Sequence, residues 1–327
     1  MMEREISFAE AIREGLRSEM RRDERVFILG EDVGPQGGAF SVTIGLWEEF
    51  GDERVKDTPI SEAAIVGVSL GAACTGMRPV PEIMYADFST IAMEQLVNQV
   101  AKMRYMFGGK ATVPLVMRTA FGAGISAAAH HSQSLESLVC HIPGLKVVVP
   151  STPYDAKGLL ISSIRDENPV IFYEHKGLYA SKGRVPEEDY QIPLGKADIK
   201  KEGKDVTIIT WGKLVQASMN VAQRLIEKDI DVEIVDLRTL FPLDKECFLK
   251  SVKKTGRAIV VHEACMRSGF GGEVVSVIAK EAFDYLDAPI ERVAALNTPI
   301  PFSPVLEKFV LPSEENIEDV VLKLVEK

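Results

Sequence analysis

Glu62 stands in the stretch DTPISEAAIVG, residues 57–67, one carboxylate among small and apolar neighbours. A carboxyl group taken out of water resists ionisation, which makes it a candidate proton donor or acceptor near neutral pH. The same residue in the first turn of a helix is also a plain dipole-compensating acid, contributing up to about 1 kcal/mol. Residue type alone leaves both readings open. His130 and His131 pose a similar choice: in the loop GAGISAAAHHSQS, residues 122–134, two imidazoles sit among side chains too small to bury them, and imidazole changes charge near neutrality. Phe88, in ADFSTIAMEQ, is an aromatic that either packs in a core or stacks on a flat ring. His175 in YEHKG and His262 in VVHEA close apolar runs and read as structural histidines with satisfied hydrogen bonds. The cluster SGFGGE, residues 268–273, reads as a helix-opening glycine nest, which alone says little about phosphate.

The elements around these residues explain how they meet. Thr58-Pro59-Ile60-Ser61 reads as an extended entry with Ser61 as N-cap, and EAAIVGVSLGAACTG after it is so uniformly small and apolar that a helix over 61–76 is expected to be buried on most faces. Helices are also expected at 7–21, 89–106 and 153–166, alternating with the apolar runs VFILGED, RPVPEIMY, VPLVMRT, KVVVP and VIFYEH. Short β-branched runs separated by amphipathic helices predict a mainly parallel sheet covered on both faces. From about 181 to 204 Gly, Pro and charge replace any period, and this stretch reads as a linker. The alternation then restarts with DVTIITWG, DVEIVDLR, AIVVHEA and IERVAAL separated by helical patterns. The organisation predicted is a domain over 1–180, a linker over 181–204 and a smaller doubly wound α/β domain over 205–327. Parallel sheets present ligands at the carboxyl ends of their strands. In the first domain those ends hold GEDVG, TPISE, YADFS and the histidine loop, so Glu62, Phe88 and the His130–His131 pair are expected to share one crevice.

Composition sets the bounds. The 327 residues are 46% hydrophobic and 26% charged, with a mean hydropathy of +0.04, an ordinary globular balance with no bilayer-spanning run. The N-terminus MMEREISFAEAIREG lacks the apolar core of a secretory signal, which makes the cytoplasm the expected compartment. A net charge of −10 argues against a nucleic-acid surface. Cys74, Cys140, Cys247 and Cys265 lack metal-ligand spacing and are expected to be reduced, mostly buried thiols.

Several ordered stretches together resemble one family. DTPISE at 57–62, YADF at 85–88, VNQVAKMRYMFGG at 97–109, HSQSLES at 131–137, IPGLKVVVPSTPYDAKGLL at 142–160, DENPVIFYEHK at 166–176 and TPIPFSPVLEKFVLP at 298–312 resemble the beta subunit of the thiamine-diphosphate-dependent dehydrogenase component of 2-oxo acid dehydrogenase complexes. The resemblance implies a transketolase-like pyrimidine-binding domain followed by a transketolase-type C-terminal domain, working with an alpha subunit as an α2β2 heterotetramer. It implies that Glu62 hydrogen-bonds the aminopyrimidine of thiamine diphosphate, favouring the imino tautomer whose free nitrogen removes the thiazolium proton. It implies that Phe88 stacks on the pyrimidine and that His131 assists proton transfer and acyl transfer to the lipoyl group. His130, directly before it, departs from the family pattern and leaves open which imidazole faces the thiazolium. Leu115, Ser163, Ile164, Asp166 and Asn168 match positions that hold a potassium ion in some members, largely through backbone carbonyls.

The diphosphate and its Mg2+ need a GDG…N loop. GED at 30–32 and GDE at 51–53 lack its second glycine, so an alpha subunit is expected to supply that half. Among substrates, RYMFGGKATVPLVMRTAFGAG and VPEEDYQIPLGKADIKKEGKDVT look most similar to acetoin dehydrogenase beta subunits, then to pyruvate dehydrogenase, with branched-chain 2-oxo acids as the alternative. A non-catalytic scaffold is the rival from another class, and it would not require Glu62. A nucleotide module would need a phosphate loop after its first strand, whereas ILGEDVGPQGG lacks GxGxxG. The family also docks its C-terminal domain on the peripheral-subunit-binding domain of the acyltransferase core. Glu307, Glu314, Glu315, Glu318 and Asp319 are expected to face solvent there, around a helix with Ile317, Val320, Val321 and Leu324 inward.

Overall fold

The computed structural model describes residues 4–326. They form two compact units: residues up to Phe121 with Leu138–Leu194, and Gly122–Ser137 with the chain from Gly195 onward. The histidine loop, read from the sequence as part of the first domain, thus groups with the second.

The first unit runs β1 (Glu5–Ser7), α1 (Phe8–Arg22), β2 (Val26–Gly30), α2 (Leu46–Phe50), β3 (Val55–Asp57), α3 (Glu62–Cys74), β4 (Arg78–Ile83), α4 (Met103–Met106) and β5 (Val116–Phe121), then, beyond α5 (Glu136–Cys140), β6 (Lys146–Val148), α6 (Pro153–Arg165), β7 (Val170–His175) and β8 (Lys182–Arg184). Six of its strands pair in parallel in the order β6-β7-β5-β4-β2-β3. All residues of β2, β4, β5 and β7 are buried, as both faces of a covered parallel sheet require. The helices start where their sequences say. Ser7 and Glu10 form a capping box on α1, and Thr152 caps α6 with Pro153 in its first turn.

Three expectations need correction here. Ser61 occupies the N-cap position of α3 without a side-chain hydrogen bond. That helix is not buried on most faces: Glu62, Ile65, Val66, Ser69, Leu70 and Ala73 are buried, but Val68 is 62% exposed. Its composition is apolar all round while this chain covers only one side of it. The helix expected over 89–106 is instead a 3-10 turn at Ala86–Thr90, wide π-type turns over Gln95–Val100 and the short α4. The buried Ala92, Leu96 and Val100 are spaced by four, which a 3.6-residue helix carries round by about 40° per step. A wider turn holds them in line.

The second unit contains β9 (Asp198–Lys201), β10 (Val206–Thr210), α7 (Leu214–Leu225), β11 (Val232–Asp236), β12 (Thr239–Phe241), α8 (Lys245–Thr255), β13 (Ala258–Cys265), α9 (Gly271–Glu281), β14 (Glu291–Ala295), α10 (Pro304–Val310) and α11 (Glu314–Val325). Its sheet has the order β14-β13-β10-β11-β9, parallel except for β9, which runs antiparallel to β11. The presumed linker therefore contains structure: β8 pairs with β1 and β9 with β11, strands too short to show a period. Ile317, Val321 and Leu324 of α11 are fully buried against Val206, Val221 and Val293, with Val320 partly so. The cysteines are free, yet Cys74 and Cys265 are exposed and the other two only partly buried, so mostly buried thiols is the wrong description. Among the described residues no helix is long and apolar enough to cross a membrane.

Candidate active site

Neighbouring strands of the first sheet deliver three side chains to its carboxyl edge. Glu31 follows β2, Glu62 follows β3 by way of Thr58–Ser61, and Phe88 follows β4. Glu62 opens α3 and is 5% exposed, yet among the described residues none hydrogen-bonds or ion-pairs with its carboxylate. Its carboxylate oxygens therefore keep acceptor capacity for a ligand donor.

Glu31 was not picked out from the sequence, although GEDVG lies at a strand's carboxyl end. Burial first, then the negative charge of Glu62 and that of Asp32, push its carboxyl above the ordinary range. Glu31 thus lies close enough to Glu62 to feel its charge. The loop after β2 is fixed by Asp57, whose carboxylate accepts the Gly34 N–H at 2.6 Å. A Cβ on Gly34 would lie 2.8 Å from that carboxylate, so only glycine lets the loop approach so closely.

Phe88 is half-buried at the margin of an aromatic wall. It meets Tyr85 edge-on at 5.8 Å, Tyr85 meets Phe40 at 5.7 Å, and Phe40 stacks on Tyr179 at 5.0 Å. Beneath lies an ion triad across adjacent strands. Arg118 is 1% exposed and donates to Glu82 at 2.7 Å and to both oxygens of Glu174 at 2.7 and 2.8 Å, while Tyr179 donates to Glu174 at 2.9 Å. It stiffens the middle of the sheet that carries the site.

In the second unit, His131 is half-buried and His130 exposed. Their loop takes left-handed conformations at Gly122, Gly124, Ser126 and Ala128, with φ of +89°, +98°, +57° and +59°. Glu263 accepts the Ala123 N–H at 2.6 Å, and Glu307 accepts the N–H groups of Gly124 at 2.8 Å and Ser126 at 3.0 Å. Glu307 is therefore buried, 4% exposed, and not the solvent-facing acid expected. Sequence patterning had no means of finding it, since its partners lie about 180 residues away.

Glu136 at the loop's end is fully buried and accepts the Trp211 indole N–H at 3.3 Å. Burial pushes its carboxyl up to about 7. Trp211 stacks on His262 at 5.5 Å. His262 is fully buried, and burial with the Arg292 charge lowers its pKa to about 4 against the raising effect of a backbone hydrogen bond at Ala264. The glycines of SGFGGE serve this ring: a Cβ on Gly269 or Gly271 would come within 2.5 or 2.4 Å of it. His175 is satisfied, its Nδ1 accepting from the Gly177 N–H at 3.0 Å.

The proposed potassium ligands lie together at the amino end of the first sheet. Leu115, Ser163 and Ile164 are buried. The carbonyl of Leu115 accepts from Val170 at 2.9 Å and that of Ser163 from Asp166 at 3.2 Å. The carbonyls of Ile164 and Asp166 accept from the Arg78 guanidinium at 2.9 and 3.2 Å, and Asn168 Oδ1 accepts from Arg104 at 3.0 Å. Cationic side chains already serve three of the five residues, so a potassium ion would share them. Among the described residues no group of three or more His, Cys, Asp or Glu is arranged to hold a metal.

Known proteins match this architecture throughout. Residues 4–182 match the transketolase pyrimidine-binding domain and residues 195–317 the transketolase C-terminal domain. The chain is 50% identical to the beta subunit of acetoin:2,6-dichlorophenolindophenol oxidoreductase of Bacillus subtilis (strain 168), covering 99% of this chain and 98% of that protein. It is 48% identical to the pyruvate dehydrogenase E1 component subunit beta and 46% identical to the 2-oxoisovalerate dehydrogenase subunit beta of the same organism, each covering 98% of this chain and 99% of the relative. A solved split-gene transketolase, described as an inactive beta4 tetramer, shares the fold with a TM-score of 0.81 at 21% identity over 98% of both chains. With its domains, its buried carboxylate and its full-length relatives in agreement, the chain belongs to the transketolase-type beta subunits of thiamine-diphosphate-dependent 2-oxo acid and acetoin dehydrogenases.

Proposed function

We propose that this chain supplies the pyrimidine half of a thiamine diphosphate site, with Glu62 as the group that activates the cofactor, Phe88 as its stacking surface and His131 as the base for later steps. The observation that supports the reading is Glu62 at the mouth of α3, a residue only 5% exposed whose carboxylate has no partner among the described residues. That arrangement fits an aminopyrimidine, whose ring nitrogen gives the carboxyl group the hydrogen bond it lacks. Bound thiamine diphosphate supplies a carbon nucleophile that adds to the substrate carbonyl and stabilises the charge released on cleavage. Glu62 holds the proton at the ring nitrogen, and burial keeps water from competing for it. The half-buried Phe88 offers a flat apolar face. His131 suits proton and acyl transfer better than His130, because the half-buried imidazole is held by its surroundings more than the exposed one.

The diphosphate and its Mg2+ are assigned to an alpha subunit, in an α2β2 assembly in the cytoplasm. The substrate is acetoin or pyruvate, with acyl transfer to the lipoyl group of an acyltransferase core, and branched-chain 2-oxo acids are the alternative. The carbonyls of Leu115, Ser163, Ile164, Asp166 and Asn168 are kept as the candidate potassium ligands. Docking on the core rests on the family, and the acidic C-terminus contributes less than its sequence suggests. Glu314 and Glu318 are paired with Arg224 and Lys228 at 2.6 to 3.1 Å.

Two variants test the roles. In the reconstituted pair, Glu62→Gln is expected to lower thiazolium proton exchange, read by NMR, by about 100-fold or more. His131→Ala is expected to leave that exchange intact and to impair lipoyl acylation, with His130→Ala milder. Equal loss of exchange in both means that the roles are misassigned. Turnover of acetoin against pyruvate, with dichlorophenolindophenol as acceptor, identifies the substrate.

A further inference from the structure

Two backbone hydrogen bonds within the histidine loop are long, Gly122 N–H to the Gln133 carbonyl at 3.4 Å and His131 N–H to the Ala128 carbonyl at 3.5 Å. Two of its non-glycine residues, Ser126 and Ala128, take left-handed backbone conformations, each unfavourable by about 1–2 kcal/mol. Such strain persists only where the surroundings enforce it. Glu263 holds the root of the loop at Ala123, and Glu307 holds its left-handed segment. Glu307 Oε1 accepts the Gly124 N–H at 2.8 Å, and Oε2 accepts both the Ser126 N–H at 3.0 Å and the Ser126 hydroxyl at 3.3 Å. The carboxylate spans the left-handed residues with both oxygens, and being 4% exposed it loses little of this grip to water.

Glu307 is itself well anchored. It lies in the first turn of α10, a helix that begins with Pro304, and its N–H bonds the Ser303 carbonyl at 2.8 Å. Ile300, Val310 and Ala123 form a small apolar core beside it, so the root of the loop and the helix pack as one piece. Only an ionised carboxylate offers acceptors on both oxygens. Glutamine keeps the shape and turns one of them into a donor facing an N–H.

We propose that Glu307 is a positioning residue for the reaction. By clamping Gly124 and Ser126 it fixes the loop geometry that holds His131 where acyl transfer needs it, although it touches neither substrate nor cofactor. This rests on the role assigned to His131 above. The device works through backbone amides, so the identity of the intervening Ile125 matters little while the N–H of Ser126 matters a great deal.

The test is a double-mutant cycle on the reconstituted heterotetramer, with a free lipoyl domain as acyl acceptor. Glu307→Gln is expected to lower the kcat of lipoyl acylation about tenfold, as small displacements of a reacting group do, with KM for the small substrate and thiazolium proton exchange unchanged. In the His131→Ala background the same substitution is expected to add no further loss, because it acts through that histidine. A purely structural role predicts equal loss in both backgrounds, and that result overturns the proposal. Should Glu307→Gln fail to fold, Ser126→Pro attacks the contact from the half-buried loop by removing the N–H and forbidding the positive φ. It is expected to match His131→Ala, and full acylation by it overturns the proposal. If His131→Ala acylates normally, the role of the histidine fails and this inference with it. If His131→Ala is impaired and Glu307→Gln is not, the inference alone fails.

Discussion

Glu136 and His262 are both driven toward neutrality by burial, from opposite directions. The Glu136 carboxyl rises from 4.5 to about 7, so the folded chain binds its proton more tightly than the unfolded chain. Stability therefore falls as pH rises from about 4.5 to 7, by up to about 3 kcal/mol. His262 falls from 6.5 to about 4. Here the unfolded chain binds the proton more tightly, and stability is lost as pH falls from about 6.5 to 4, by a similar amount of about 3 kcal/mol. Between pH 4.5 and 6.5 the two slopes offset each other. Glu136→Gln removes one of them, so urea midpoints of this variant are expected to climb with pH across that window more steeply than those of the wild type. Parallel profiles would mean that Glu136 is already ionised in the fold. Trp211 fluorescence is the natural probe, because its indole bonds Glu136 and stacks on His262.

At the scale of elements, the sheet of the first unit depends on Arg118 bridging Glu82 and Glu174 across three neighbouring strands. Arg118→Met strands two buried carboxylates and is expected to destabilise by about 3–5 kcal/mol, whereas Met together with Glu82→Gln and Glu174→Gln recovers most of the loss. Urea unfolding measures both, and equal instability of the single and triple variants would contradict the triad's role. The strands that bear these residues were legible because wholly buried parallel strands read as continuous apolar runs, as VIFYEH does. Glu62 was legible for the contrary reason, as a charge where α3 is otherwise apolar. What escaped was short or distant in sequence. The strands β8 and β9 are three and four residues long and show no period, and the turns near Phe88 depart from helical spacing. Glu307 looked like one surface acid among several, because nothing local tells that its carboxylate holds a loop at Ser126. The exposed side of α3 was misread because an apolar helix declares that it will be covered, not by which chain.

For the whole molecule, the two transketolase-type domain models account for residues 4–182 and 195–317, and neither stretch contains a diphosphate loop of the GDG…N kind. Its net charge of −10 favours no phosphate on its own surface. The central claim is that this polypeptide carries half of a cofactor site and that an alpha subunit completes it. Titration calorimetry of thiamine diphosphate with Mg2+ tests this directly, first into the isolated chain and then into the chain reconstituted with its alpha subunit. The account predicts weak, magnesium-independent heats from the isolated chain and tight, magnesium-dependent binding from the pair. Tight, magnesium-dependent binding by the isolated chain would contradict it.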